Sequence, residues 1–160
     1  MPPRKSQLQQ ELHQARPFTT TAHELLIGVL RTAAVARREM DKGLEGSGLS
    51  GAQYNVLRIL RGAGPEGLPT LEVRERLIDA APGVTRLVEK LTKAGLISRQ
   101  GGAKDRRQVI CRITPKGIAM LEKHNPLVHA AIERVGARLT GEERAQCVAL
   151  LDALRRDDAD

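Results

Sequence analysis

Nine cationic side chains crowd one stretch of the 160-residue chain: Arg86, Lys90, Lys93, Arg99, Lys104, Arg106, Arg107, Arg112 and Lys116. Only Glu89 and Asp105 oppose them there. The formal net charge of the chain is +7 at pH 7, so this stretch holds the whole surplus and the rest of the sequence is balanced. Ammonium and guanidinium groups gathered in this way bind polyanions, because each phosphate they neutralise releases a condensed counterion. A charge run is ordinarily a solvated face, but balance everywhere else favours a surface built for a nucleic-acid duplex.

The other reactive residue types are scattered. His13, His23, His124 and His129 share no helical face, and Cys111 and Cys147 have neither metal-ligand spacing nor the number needed for a disulfide framework. No paired carboxylates or nucleophile and base set stands out, so no enzyme activity, metal or cofactor is expected. Gly62-Ala63-Gly64-Pro65-Glu66-Gly67 fits a phosphate-binding G-x-G-x-x-G, yet it follows a helical pattern rather than a strand and carries a proline, so it reads as a connecting loop. Phe18 and Tyr54 are the only aromatic residues and Trp is absent, which argues against the base-stacking platforms of single-strand and RNA binders.

The elements that must carry the cations follow from periodicity. Residues 1–17 read as a flexible tail in which Leu8 and Leu12 allow one short helix, with Pro17 as its stop. From Thr20 to Met40 apolar residues recur every three or four positions, giving a long one-sided helix that Gly43 to Gly48 ends. Ser50 and Gln53 form a capping box ahead of Tyr54, Val56, Leu57 and Leu60. Thr70 can cap a short helix with Leu71, Val73 and Leu77, and a further helix runs through Val84, Leu87, Val88 and Leu91 to a stop at Gly95.

Leu96 to Gln100 and Gln108 to Ile113 then read as a β-hairpin around the polar tip Gly101 to Arg107. Thr114 followed by Pro115 opens a long helix that Pro126 should kink. Thr140 and Glu143 box the start of a last helix bearing Val148, Leu151 and Leu154. Hydrophobic residues at 41% and charged residues at 28% suit a packed core.

Helix, tight turn, helix and hairpin make a winged helix-turn-helix, whose second helix can enter a major groove. The fold class is mainly α (α+β), with residues 45–114 as the DNA-binding domain and helices in 18–44 and 115–156 for dimerisation. The outer helices carry apolar stripes that so small a winged core cannot cover, so a homodimer is expected, with two reading helices about 34 Å apart on a pseudo-palindromic site in double-stranded DNA. A membrane surface would need a basic amphipathic helix with large apolar anchors, whereas part of this charge lies on a hairpin. No apolar run spans a bilayer and the first ten residues lack a signal-peptide core, so a cytoplasmic location is expected.

The sequence is similar to the MarR family of bacterial transcriptional regulators. The similarity runs from about Leu25 to Leu154, carried by Leu49-Ser50-Gly51-Ala52-Gln53-Tyr54, Val84-Thr85-Arg86-Leu87-Val88-Glu89-Lys90-Leu91, Ala94-Gly95-Leu96-Ile97, Asp105-Arg106-Arg107 and Ile113-Thr114-Pro115-Lys116-Gly117. The resemblance implies that Arg107 enters a flanking minor groove and that Asp105 orients it. With these, Thr85, Arg86, Lys90, Arg99, Lys104 and Arg106 complete the expected DNA-binding set.

The chain departs from the family at Ala80, Ala81, Pro82 and Gly83, where relatives often place a polar cap, leaving Asp79 as the nearby polar residue. Base readout at that helix then rests on Thr85, Arg86 and apolar contact, with DNA shape carrying more of the specificity. Gly102 stands where relatives often carry a further aspartate. The resemblance also implies release by a small, often aromatic, anionic effector, with His23, Arg31 and Tyr54 as polar groups of its pocket. Two alternatives stand beside this reading: a winged-helix module that docks an acidic protein partner, and a redox-sensing regulator using Cys111 or Cys147. A sensing thiol needs exposure and a cationic or helix-terminal setting, and Cys111, in phase with Val109 and Ile113, reads instead as buried.

Overall fold

The structure is a computed structural model that describes residues 6–79, 83–101 and 108–156. The chain divides into two units, one ending at Arg38 and the other starting at Glu39. In the first, helix α1 (Gln7–Glu11) is opened by a capping box in which Ser6 and Gln9 satisfy each other's backbone N–H. Helix α2 (Thr21–Gly43) follows and crosses the boundary between the units. Leu8 of α1 lies beside Gly28 of α2, and the Arg31 Nε stands 3.6 Å from a Glu11 carboxylate oxygen.

The second unit takes in the last turn of α2, then α3 (Gly51–Gly62), β1 (Leu68–Pro69), α4 (Thr70–Glu75), α5 (Val84–Lys93), β2 (Ile97–Gly101), β3 (Val109–Ile113), α6 (Pro115–Gly136) and α7 (Gly141–Leu154). The three strands form an antiparallel sheet in the order β1-β3-β2. The expected hairpin is β2 and β3, pairing Ile97 with Ile113 through Gly101 with Val109. β1, unforeseen in the sequence, adds Leu68 opposite Cys111 on the other edge. Two residues, one of them proline, carry no readable strand period.

The core gathers one face from each element. Val56, Leu57 and Leu60 of α3 meet Val73 of α4, Val84, Val88 and Leu91 of α5, Leu96 and Ile97 at β2, Cys111 of β3, and Leu121 and Val128 of α6. Each large aliphatic side chain closed off in this way stabilises the lobe by about 1.5–3 kcal/mol relative to exposure. The capping boxes at Ser50 and Thr140 and the Thr114 N-cap form as the sequence dictates.

One local expectation is corrected. Thr70 does not cap α4. Leu68 and Pro69 are drawn into the sheet, Pro69 takes the N-cap position, and the Thr70 hydroxyl donates to the Val109 carbonyl at 3.2 Å. α6 is one helix from Pro115 to Gly136 with Pro126 inside it, where the proline ring cannot supply the bond to the Glu122 carbonyl. The helix is held on both sides of that gap by Leu121 and Val128, which are fully buried.

Candidate nucleic-acid interface

Helix α5 divides cleanly into two faces. Val84, Val88 and Leu91, spaced by one helical turn, are buried, whereas Thr85, Arg86, Glu89, Lys90 and Lys93 are exposed. Burial of the apolar stripe therefore fixes which way Arg86, Lys90 and Lys93 project. Asn55 of α3 steadies the approach to this helix by accepting a bond from the Ile78 backbone N–H at 3.3 Å.

At its start, α5 has Gly83 at the N-cap, with φ of 131° and no side-chain cap. That backbone conformation favours glycine, and a glycine cap leaves the first-turn N–H groups open to a phosphate oxygen. The sequence had flagged the missing polar cap at this point; Ala80, Ala81 and Pro82 themselves lie outside the described residues.

Arg99 of β2 is exposed on the wing. Lys104, Asp105, Arg106 and Arg107, and Gly102 with them, lie outside the described residues. Two cations of the basic stretch are engaged elsewhere. Arg112 donates from Nε to the Pro65 carbonyl at 3.0 Å and from its terminal nitrogen to Gln100 at 3.3 Å, and Lys116 donates to the Ala94 carbonyl at 2.8 Å. Charge counting could not have separated these two from Arg86 and Lys90, because only folding brings the Pro65 and Ala94 carbonyls near them.

A second feature lies between α3 and α6: a cleft of about 1070 Å³. Tyr54, Arg58 and Arg61 line it from α3, and Asn125, His129 and Ile132 from α6. Tyr54 is the one effector residue expected from sequence that lines it. It is buried and donates its hydroxyl to Asn125 Oδ1 at 2.7 Å. His23 and Arg31 belong to the other unit, where His23 Nδ1 lies 3.2 Å from the Thr19 hydroxyl and Arg31 faces Glu11.

Arg61 pairs with Glu122 at 3.5 Å, while Arg58 is exposed and has no carboxylate partner among the described residues. The cleft thus offers a guanidinium, a histidine and an amide beside the apolar side chains of Leu121, Val128 and Ile132, a combination suited to a small anion with an apolar body. Arg58, Asn125 and His129 were missed in the sequence because they sit on two helices that are far apart in the chain.

The cysteines differ in setting: Cys111 is fully buried, beside the Thr70 hydroxyl at 3.5 Å, and Cys147 is exposed on α7. Among the described residues no His, Cys, Asp and Glu cluster could hold a metal, and no helix is long and apolar enough to cross a membrane.

Comparison with known proteins decides the family. A sequence model described as the MarR family matches residues 47–108, which span α3 to the wing. A crystal structure of a MarR transcription factor from Planctomyces limnophilus is 30% identical and superposes with a TM-score of 0.64, covering 86% of this chain and 99% of that one. The chain belongs to the MarR family.

It is a DNA-binding transcriptional regulator of the winged helix-turn-helix type. Another relative is the HTH-type transcriptional regulator MhqR of Bacillus subtilis, 28% identical over 134 residues that cover 84% of this chain and 91% of that protein. BpsR of Bordetella bronchiseptica, whose structure addresses regulation of its DNA binding by 6-hydroxynicotinic acid, is 25% identical with a TM-score of 0.73, covering 83% of this chain and 99% of that one. In the winged helix-turn-helix arrangement α5 occupies the position of the second helix and the β2–β3 hairpin that of the wing.

Proposed function

We propose that this MarR-family protein is a cytoplasmic homodimeric repressor that occupies a pseudo-palindromic operator and leaves it when a small anionic ligand enters the α3–α6 cleft. The observation that carries this reading is the exposed face of α5, where Thr85, Arg86, Lys90 and Lys93 project together above a buried apolar stripe. In this reading Thr85 and Arg86 address base edges, Lys90, Lys93 and Arg99 take phosphates, and the wing tip, Lys104 to Arg107, follows the adjacent minor groove.

Residues 45–114 form the reading lobe, residues 18–44 and 115–156 build the dimer, and residues 1–17 are a tail. Support for the dimer comes from α7, which has no buried residue and exposes Val148 (59%), Leu150 (60%) and Leu154 (53%). Apolar area on this scale is normally covered by a partner. The effector class is supported by Arg58, Asn125 and His129 in the cleft, and by a relative whose DNA binding is regulated by a small aromatic acid.

Selection from a randomised duplex pool, with sedimentation of the protein alone, tests this reading. The expected outcome is recovery of inverted half-sites about one helical turn apart and a solution mass of two chains. Recovery of no common sequence, with equal affinity for heparin and duplex, overturns it in favour of a surface for an acidic partner.

A further inference from the structure

The C-terminal end of the reading helix is held from α6, and one hydroxyl joins the two. Thr114 Oγ accepts from the Gly117 N–H at 3.1 Å, capping α6, and donates to the Gly95 carbonyl at 2.8 Å, just past the end of α5. A hydroxyl can do both at once because it carries one donor and two acceptor lone pairs.

Three further features close the same joint. The Thr114 backbone N–H donates to Leu96 at 3.1 Å. Lys116 Nζ donates to the Ala94 carbonyl, the C-cap of α5, at 2.8 Å. Gly117 approaches so closely that a Cβ there would stand 2.2 Å from the Leu96 carbonyl oxygen. The Ala94 carbonyl is among those a helix end leaves without an intrahelical partner, the Gly95 carbonyl lies one residue beyond it, and side chains at the start of α6 satisfy both.

α6 continues unbroken from this joint into the cleft. Asn125 lies eleven residues beyond Thr114, about 16 Å along a helix at 1.5 Å per residue, and Asn125, Val128, His129 and Ile132 line the cleft wall. We infer that Thr114, seconded by Lys116, is a positioning residue: it sets the angle of the reading helix from α6, so that a ligand in the cleft and DNA on α5 bear on one joint. This rests on the function proposed above. It also takes Lys116 out of the phosphate-contacting set, to which its charge would assign it.

The test uses the full chain, with a duplex recovered by selection and a random-sequence duplex as probes. Thr114→Val removes the hydroxyl while keeping the shape. It should bind the selected duplex roughly tenfold more weakly, hold the random duplex within about twofold, and keep the wild-type salt slope. Amide exchange over Lys90 to Gly95 should rise, and Thr114→Ser should restore both affinity and protection. Lys116→Met, at an exposed position, should weaken selected binding in the same sense with the slope unchanged, whereas a phosphate contact would lower the slope by about one.

The inference is overturned if Thr114→Val retains wild-type affinity and exchange, if both duplexes weaken equally, or if Lys116→Met lowers the slope. Should Thr114→Val not fold, Lys116→Met and the exchange of its α5 amides decide the matter alone. A wild-type protein with no preference for any duplex defeats the proposed function instead, and the exchange measurement still reports on the joint.

Discussion

The Tyr54 hydroxyl, on a side chain only 2% exposed, reaches Asn125 across 71 residues of sequence and ties α3 to α6 at the cleft. Tyr54→Phe keeps the ring in the core and leaves the Asn125 oxygen without its donor. It should lower stability by about 1 kcal/mol, seen as a lower urea midpoint with an unchanged denaturant slope. A midpoint equal to wild type would mean that the bond contributes nothing to holding the two helices.

Gly43 permits a close backbone approach between the end of α2 and α6. A Cβ there would lie 2.8 Å from Val128 Cα and 2.9 Å from Val128 N, atoms that cannot rotate away. Gly43→Ala should destabilise by about 1–3 kcal/mol. Gly62→Ala, where a Cβ meets nothing within 4 Å, should be neutral or stabilising by up to about 1 kcal/mol. Thermal melting of the pair checks the contrast.

Acid should loosen the start of α7. The Thr140 backbone N–H donates to the Glu143 carboxylate at 2.8 Å, and this bond, followed by the Thr140 hydroxyl, holds the Glu143 carboxyl below its ordinary range. A depressed folded-state value means that the stabilisation is present above the ordinary glutamate range and is lost as pH falls through the depressed one. Amide exchange in the first turn of α7 should therefore rise on acidification below the ordinary glutamate range. Glu143→Gln, which keeps an acceptor but cannot titrate, should remove that part of the pH dependence.

Much of this architecture was legible in the sequence because it is local. The Ser50, Thr114 and Thr140 caps, the α5 stripe Val84, Val88 and Leu91, and the wing strands each follow from spacing within a few residues. Features that depend on remote partners were not legible. β1 exists only because β3 offers Cys111 and Ile110 to Leu68 and Pro69, and the same pairing displaced the expected Thr70 cap. The site divides along the same line: Arg86 and Lys90 were readable from charge and helical phase, while the carbonyl partners of Arg112 and Lys116 and the assembly of Arg58 with His129 required the fold.

The apolar side chains of α7 carry the expectation of a dimer. Leu150→Glu together with Val148→Glu places carboxylates on two sides of a helix that has no buried residue in the single chain, so folding of the reading lobe should be unaffected. Sedimentation should show the mass fall from two chains to one, and affinity for an inverted-repeat duplex should fall with it. A variant that stays dimeric would place the twofold contact elsewhere.

The central claim is that the exposed face of α5 meets duplex phosphates and base edges. A fluorescence-anisotropy titration of a selected duplex over a salt series, on wild type, Arg86→Ala and Lys90→Ala, tests it most directly. Log affinity should fall linearly with log salt for the wild type, Lys90→Ala should reduce that slope by about one, and Arg86→Ala should relax sequence preference at a cost of about 1–3 kcal/mol. Affinity that ignores salt, or both variants binding as the wild type does, would contradict it.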